Sequence, residues 1–211
     1  MEGGQMKIRI FALTLALGVL FGVCAGPLDA VANTFVIQGA SGLTISPGDV
    51  GDNLTGGGVL IGGRLGFAVN DMIMVFGGGG FSFLGGADVN GVEVTDAAFL
   101  FTVEAGAVVY LIDRATSDVR PYVGGALGLG GLGWSYSDLA AAFFGTDTDG
   151  IGLVFAAPEV GVEIGLGGDL SLGIGTRFLL TGYGDTTSED FAWDFSDGHF
   201  WQLYGTLAIE L

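Results

Sequence analysis

The sequence is short of the residues that several common kinds of protein need. It holds one cysteine (Cys24), one histidine (His199) and four prolines in 211 residues. Lysine occurs once, at Lys7. One cysteine cannot make a disulfide framework within the chain. Six bases stand against 23 acids, a formal net charge of −17. That balance excludes binding nucleic acid through its phosphates and a polybasic hold on anionic lipid headgroups. Beyond Val23 there is no uninterrupted run of the ~20 apolar residues that a membrane-spanning helix requires, and no helical heptad repeat.

What is abundant is glycine, 42 residues, against a usual share near ~7%. No period of three accompanies it, so collagen is excluded. Half the chain is hydrophobic and only 14% is charged, which is far too apolar for a disordered segment.

Residues 1–32 read as a cleaved secretory signal. Lys7 and Arg9 form its basic start, Ile10–Val23 its apolar core, and Ala30-Val31-Ala32 a small-x-small cleavage site. Translation can start at Met1 or Met6. Lipidation of Cys24 is a competing reading, but Val23 and Phe21 fit a lipoprotein site poorly. Cleavage after Ala32 leaves residues 33–211 as one cysteine-free domain, suited to export through an oxidising periplasm.

The pattern that sets the fold class is a period of two, repeated in eight segments bounded by turn residues. The spacing predicts strands over Thr34–Ile45, Gly58–Val69, Met72–Leu84, Ala97–Ile112, Pro121–Ser137, Ile151–Leu166, Leu170–Tyr183 and His199–Leu211. In the first, Phe35, Ile37, Leu43 and Ile45 oppose Gln38 and Thr44. In the second, Val59, Ile61, Leu65 and Phe67 oppose Arg64. Phe99, Phe101 and Val103 oppose Thr102 and Glu104; Val160, Val162 and Ile164 oppose Glu159 and Glu163. Leu170, Leu172, Ile174 and Phe178 oppose Ser171 and Arg177. The last segment sets Trp201, Leu203, Leu207, Ile209 and Leu211 against Gln202, Tyr204, Thr206 and Glu210. Glycines leave the faces of the third and fifth segments open. Pro158 belongs at an outer rim or a bulge, because proline cannot donate to a ladder.

Ten-residue alternating segments between turns are the signature of a transmembrane β-barrel. The connections alternate in length as well. Asn70-Asp71, Asp113–Arg120 and Gly167–Asp169 are short; Ser46–Gly57, Gly85–Asp96, Asp138–Gly150 and Gly184–Gly198 are long. The long ones carry 13 of the 21 acids that follow residue 32 and no lysine or arginine, whereas Arg114 and Arg120 fall in a short one. Short turns on the periplasmic side and long loops outside are the expected arrangement. The expected fold is therefore all-β: an eight-stranded antiparallel up-and-down transmembrane barrel behind a cleaved signal.

On these segments the chain resembles the small eight-stranded outer-membrane barrels of Gram-negative bacteria, the OmpA-type membrane domain with its OmpX and OmpW relatives. The resemblance covers 34–211 and includes an alternating last strand, Trp201-x-Leu203-x-Gly205-x-Leu207-x-Ile209-x-Leu211, though a terminal leucine replaces the usual aromatic. It implies an outer-membrane location, insertion by the barrel-assembly machinery through that last strand, and contact with outer-membrane lipid and lipopolysaccharide. A monomer without cofactor or enzymatic activity is expected, and, unlike the OmpA type, no cell-wall-binding domain is expected after the barrel.

Parity directs Arg64, Glu104, Glu159, Glu163 and Arg177 into a lumen only wide enough to be filled by side chains. Charges there must pair, so two guanidiniums and three carboxylates are expected to form one network that plugs the barrel. A rearranging ion gate is the competing reading of the same residues. Inward glycines such as Gly62, Gly66, Gly161 and Gly173 favour a narrow pore for small or hydrophobic solutes. Trp134, Trp193, Trp201, Tyr110, Tyr122 and Tyr204 are candidates for interfacial girdles or lumen filling. Asp147 and Asp149, in a loop that starts like a calcium site but lacks its later carboxylate, and Asp190 and Asp194 are weak candidates for Ca²⁺ or Mg²⁺. Leu139–Phe144 form an apolar loop patch expected to pack on the rim. His199 beside Ser196 and Asp197 supports the remaining alternative, a lipid-modifying enzyme, but adjacency in a loop supplies no nucleophile geometry. Gly128-Leu129-Gly130-Gly131-Leu132-Gly133 matches a dinucleotide motif by letter, yet continues into a strand-like run instead of a helix.

Overall fold

The computed structural model describes residues 34–47, 57–89, 92–138, 148–184, 193–194 and 199–211. The signal segment with Cys24, the patch Leu139–Phe144, and Asp147, Asp190, Ser196 and Asp197 lie outside the described residues. Nine strands are present: β1 Thr34–Ile45, β2 Gly58–Ala68, β3 Ile73–Val89, β4 Val92–Tyr110, β5 Val119–Tyr136, β6 Thr148–Gly167, β7 Leu170–Gly184, the two-residue β8 Trp193–Asp194, and β9 Phe200–Glu210. Each long strand pairs antiparallel with its chain neighbours, β7 pairs β9, and β9 pairs β1. The eight long strands thus close on themselves. β8 only extends the edge of β7, through Tyr183 opposite Asp194 and Gly184 opposite Trp193.

Parity works as expected. Phe35, Ile37, Leu65, Phe81, Phe83, Phe99, Ile174 and Leu207 face outward, with Leu65 67% and Ile174 60% exposed. Their neighbours Val36, Leu60, Leu100, Leu179 and Tyr204 are buried inside. The strands left open by their glycines resolve the same way: Met74, Phe76, Ser82 and Leu84 of β3 and Tyr122, Ala126 and Leu132 of β5 point inward. No helix among the described residues is long and apolar enough to cross a membrane; the chain crosses with strands.

The start of β1, the end of β9 and the three short connections share one end. Phe35 and Leu211 exchange backbone hydrogen bonds there, at 3.3 and 2.8 Å. The β2–β3 turn is held by the Asn70 side chain, whose Oδ1 accepts from the amides of Met72 and Ile73 at 2.8 Å each. The β6–β7 turn needs positive φ at Gly167 (92°) and Gly168 (63°), which a residue with a Cβ adopts only under strain.

Two expectations need correction. The segment Gly85–Asp96 is not a long loop: β3 runs to Val89 and β4 starts at Val92. Val89, Val92, Val94 and Thr95 favour extended backbone, and register shifts at Ala87/Asp88 and Thr95/Ala97 absorb the mismatch that hid the alternation. Pro158 lies neither at the rim nor at a bulge. It sits in mid-β6, in register opposite Gly125 of β5. The β6–β7 ladder instead passes from Ala156 opposite Leu180 to Glu159 opposite Arg177 without a register change, leaving Ala157 and Pro158 unpaired on that side. The donor that proline lacks is therefore missing from a single seam. Pro158→Val should restore it and raise stability against urea by about 1 kcal/mol; an unchanged unfolding midpoint would mean that the seam is open for another reason.

Candidate functional site

The chemistry of this chain is concentrated in the lumen, where inward parity on six strands gathers its charges. Arg64 on β2 and Glu159 on β6 stand on opposite walls and meet through two parallel hydrogen bonds, 3.0 and 2.7 Å, in the bidentate geometry that favours arginine. Arg64 Nε also donates to Glu104 of β4 at 3.1 Å. That contact crosses β3 at Gly78, which is in register with both residues; a Cβ there would lie 2.7 Å from Arg64 Cγ. Arg177 of β7 donates to both oxygens of Glu104 at 2.6 Å and to Gln202 Oε1 at 2.5 Å. Glu159 and Arg177 are cross-strand neighbours, yet their ion pairs reach across the lumen. The carboxylate of Glu159 accepts one more bond, from Tyr204 at 3.1 Å.

Glu163 belongs elsewhere. It pairs with Arg120 at 3.0 Å and accepts from Tyr110 at 3.1 Å. Arg120 also reaches Glu210 of β9 at 3.3 Å, and Arg114, on the turn below, pairs with the same carboxylate. The expected single network of two arginines and three glutamates is thus two networks. A central one holds Arg64, Arg177, Glu104 and Glu159; a second, at the short-turn end, holds Arg114, Arg120, Glu163 and Glu210. Each balances its formal charge, which removes the surplus carboxylate that parity alone left over. Tyr110, Tyr122 and Tyr204 fill the space between, with Tyr110 and Tyr122 edge to face at 6.0 Å. Sequence reasoning missed Arg120 and Glu210 as network members, although both carry inward parity. Nothing in the sequence signals that Arg114 folds back from its turn over the Tyr110 ring, 5.0 Å away.

Above the central network Gln202 donates to Thr44 and Ser82, at 3.2 and 3.3 Å, and these two hydroxyls share a bond of 2.7 Å. Three of the inward glycines face side chains that take up their room. A Cβ on Gly161 would lie 2.5 Å from the Tyr122 ring, one on Gly173 2.4 Å from Thr206 Oγ1, and one on Gly66 2.7 Å from Met74 Sδ. Tyr122, Thr206 and Met74 occupy that room. A cavity beside Arg64, Glu104, Arg177 and Tyr204 measures about 20 Å³, space for one water.

Other candidates lie apart. Trp134 turns inward and Trp201 faces out. In the last strand, Leu203, Leu207, Ile209 and Leu211 are exposed beside Trp201 as an unbroken lipid-facing row. Asp149 is exposed, its carboxylate accepting from the Gly150 amide at 2.7 Å. For Asp194 only the backbone pairing with Tyr183 is described. His199 stacks edge to face on Phe178 at 5.6 Å, and its Nδ1 accepts from the Thr181 amide at 3.4 Å.

No protein-family profile matches the chain, and no curated protein matches it in sequence. Solved structures do. Neisserial surface protein A superposes with a TM-score of 0.56 at 14% identity, over 87% of this chain and all of its own. Ail, the attachment invasion locus protein of Yersinia pestis, gives 0.54 at 13% identity, over 85% of this chain and 99% of its own. The N-terminal β-barrel domain of Pseudomonas aeruginosa OprF gives 0.53 at 14% identity, over 85% and 98%. The fold is that of the small outer-membrane β-barrels. An apolar belt on a closed sheet belongs in a bilayer, and by surface and fold together this chain is a membrane-spanning β-barrel.

Within that barrel the central network is open to a direct test. Arg177→Leu leaves Glu104 with one arginine and Gln202 Oε1 without its donor. It should cost about 3–5 kcal/mol in unfolding measurements. Arg177→Met combined with Glu104→Gln removes both charges and should recover most of that loss; equal stability of all three proteins would separate the network from stability.

Proposed function

We propose that this outer-membrane barrel is non-enzymatic and serves a structural or surface-interaction role through the acidic connections at its outer end. The observation that carries the reading is the filled interior. Paired charges, tyrosines and apolar side chains occupy the lumen and leave space for about one water beside the central network, so any solute path requires rearrangement. The acids of the outer connections provide the face for a partner or for Ca²⁺ or Mg²⁺, with lipopolysaccharide as the immediate neighbour. A monomer inserted by the barrel-assembly machinery through β9 is part of the same reading. The lone histidine supports the non-enzymatic part. Its Nδ1 accepts from the Thr181 amide and its ring packs edge to face on Phe178, a structural placement.

One observation favours a second reading, a route for small or hydrophobic solutes. The unpaired seam at Pro158 opens onto a lipid-facing groove of about 510 Å³, lined outside by Pro158, Phe178 and Trp201 and inside by Glu159 and Arg177. Planar-bilayer recording of the refolded protein separates the two readings. The plug reading expects a silent membrane at neutral pH with and without calcium, and discrete conductance steps would replace it with the channel. Likewise, His199→Ala should leave the lipid A mass profile of expressing cells unchanged; a lost modification would establish an enzyme.

A further inference from the structure

Closing the barrel requires β9 to meet β1 and β7 in one register, and the lipid-facing side of β9 does not specify which. That side reads Trp201, Leu203, Gly205, Leu207 and Ile209, with Leu211 just beyond, all apolar or small. A slip of one residue would turn this row into the lumen. A slip of two leaves it in lipid and keeps most of the ladder, because side chains alternate with a period of two.

The lumenal side of β9 differs at every step: Phe200, Gln202, Tyr204, Thr206, Ala208 and Glu210. Three of these side chains bond strands that β9 does not touch through its ladder. Gln202 donates to Ser82 of β3 at 3.3 Å, as well as to Thr44 of β1, and accepts from Arg177 of β7. The Tyr204 hydroxyl donates to Glu159 of β6. Glu210 accepts from Arg120 of β5 and pairs with Arg114 on the β4–β5 connection. Tyr204 also stands opposite glycine on both sides, Gly42 of β1 and Gly175 of β7. A Cβ at Gly175 would lie 2.9 Å from Tyr204 Cζ.

From these contacts we infer that the lumenal side chains of β9 set the register in which the barrel closes. A two-residue slip toward the outer end puts Tyr204 between Thr44 and Arg177, moves the Gln202 amide to the row of Leu179, and gives Glu159 the short Thr206 in place of the phenol. The opposite slip puts Phe200 where Gln202 was, leaving Arg177 Nε without its acceptor, and Ala208 where Glu210 was. Either register strands buried polar atoms that hydrocarbon and packed side chains cannot satisfy. This selection goes beyond the plug reading and holds whether or not ions pass through the closed barrel.

Disulfide capture across β1–β9 tests it, in barrels refolded into phospholipid vesicles and oxidised. Cysteines on directly opposite residues lie about 4.5–5.5 Å apart at Cα, within disulfide reach, and those two residues out of register do not. No cysteine follows residue 32 to compete. Leu43 and Leu203 are in register, so Leu43→Cys should cross-link with Leu203→Cys and not with Trp201→Cys. In a transposed protein, Phe200→Gln, Gln202→Tyr, Tyr204→Thr, Thr206→Ala, Ala208→Glu and Glu210→Ala move the lumenal set two residues toward the strand start and leave the lipid row unchanged. The register should follow: the Leu43→Cys, Trp201→Cys pair should then form at least about tenfold faster than the Leu43→Cys, Leu203→Cys pair. Retention of the original pair by the transposed protein overturns the inference, as does equal capture of both pairs in the unaltered lumen. Should the transposed protein fail to fold, Gln202→Ala with Glu210→Ala provides the second measurement. Capture of Leu43→Cys by Trp201→Cys or Gly205→Cys should rise at least about tenfold there, and unchanged yields overturn the inference.

Discussion

A backbone amide or carbonyl in hydrocarbon has no water to turn to, and each one left unpaired costs several kcal/mol. Nearly everything in this barrel descends from that cost. It forces the sheet to close, so β9 returns to β1 and no long strand keeps a free edge. Closure with eight strands in turn fixes an interior narrow enough to be filled by side chains. A narrow interior makes every inward charge expensive unless it is paired, and the two balanced networks follow. Beside Pro158 the β6–β7 ladder lapses for two residues, and a groove lies outside it.

Inside, the barrel is built in layers that a soluble protein would keep in separate regions. Hydrocarbon with hydroxyls and an amide set among it lies toward the outer end, then a central charge quartet, tyrosines, and a second quartet at the short-turn end. The arrangement uses every base that follows residue 32. Arg64, Arg114, Arg120 and Arg177 are all engaged by carboxylates of the lumen or its mouth. Buried ion pairs of this kind contribute little net stability against an apolar core of the same shape, but losing one partner is costly. The quartets thus constrain which substitutions the interior tolerates more than they strengthen it.

The match to known barrels near 14% identity has the same origin. Parity and turn placement are the only requirements such a fold imposes, and many residue choices meet them. Similarity of shape consequently carries the fold and not the role, which depends on particular side chains at the outer end and in the lumen.

Strand existence, inward or outward facing, the pairing order and the membrane setting were legible in the sequence. They depend only on a two-residue period and on the chain's need to bury its backbone, both local properties. Strands β1, β2 and β7 could be delimited to within a residue or so; β3 and β4 could not, because two register shifts change parity where they extend to Val89 and from Val92. Which charges meet was beyond reach. Arg64 bonds Glu159 because β2 and β6 are opposite walls, and Arg64 reaches Glu104 because Gly78 clears the way between them. Arg114 enters the mouth because its turn folds inward. Those contacts join positions from 40 to 96 residues apart in the chain. Strand stagger and barrel diameter decide them, and neither exists until the sheet closes.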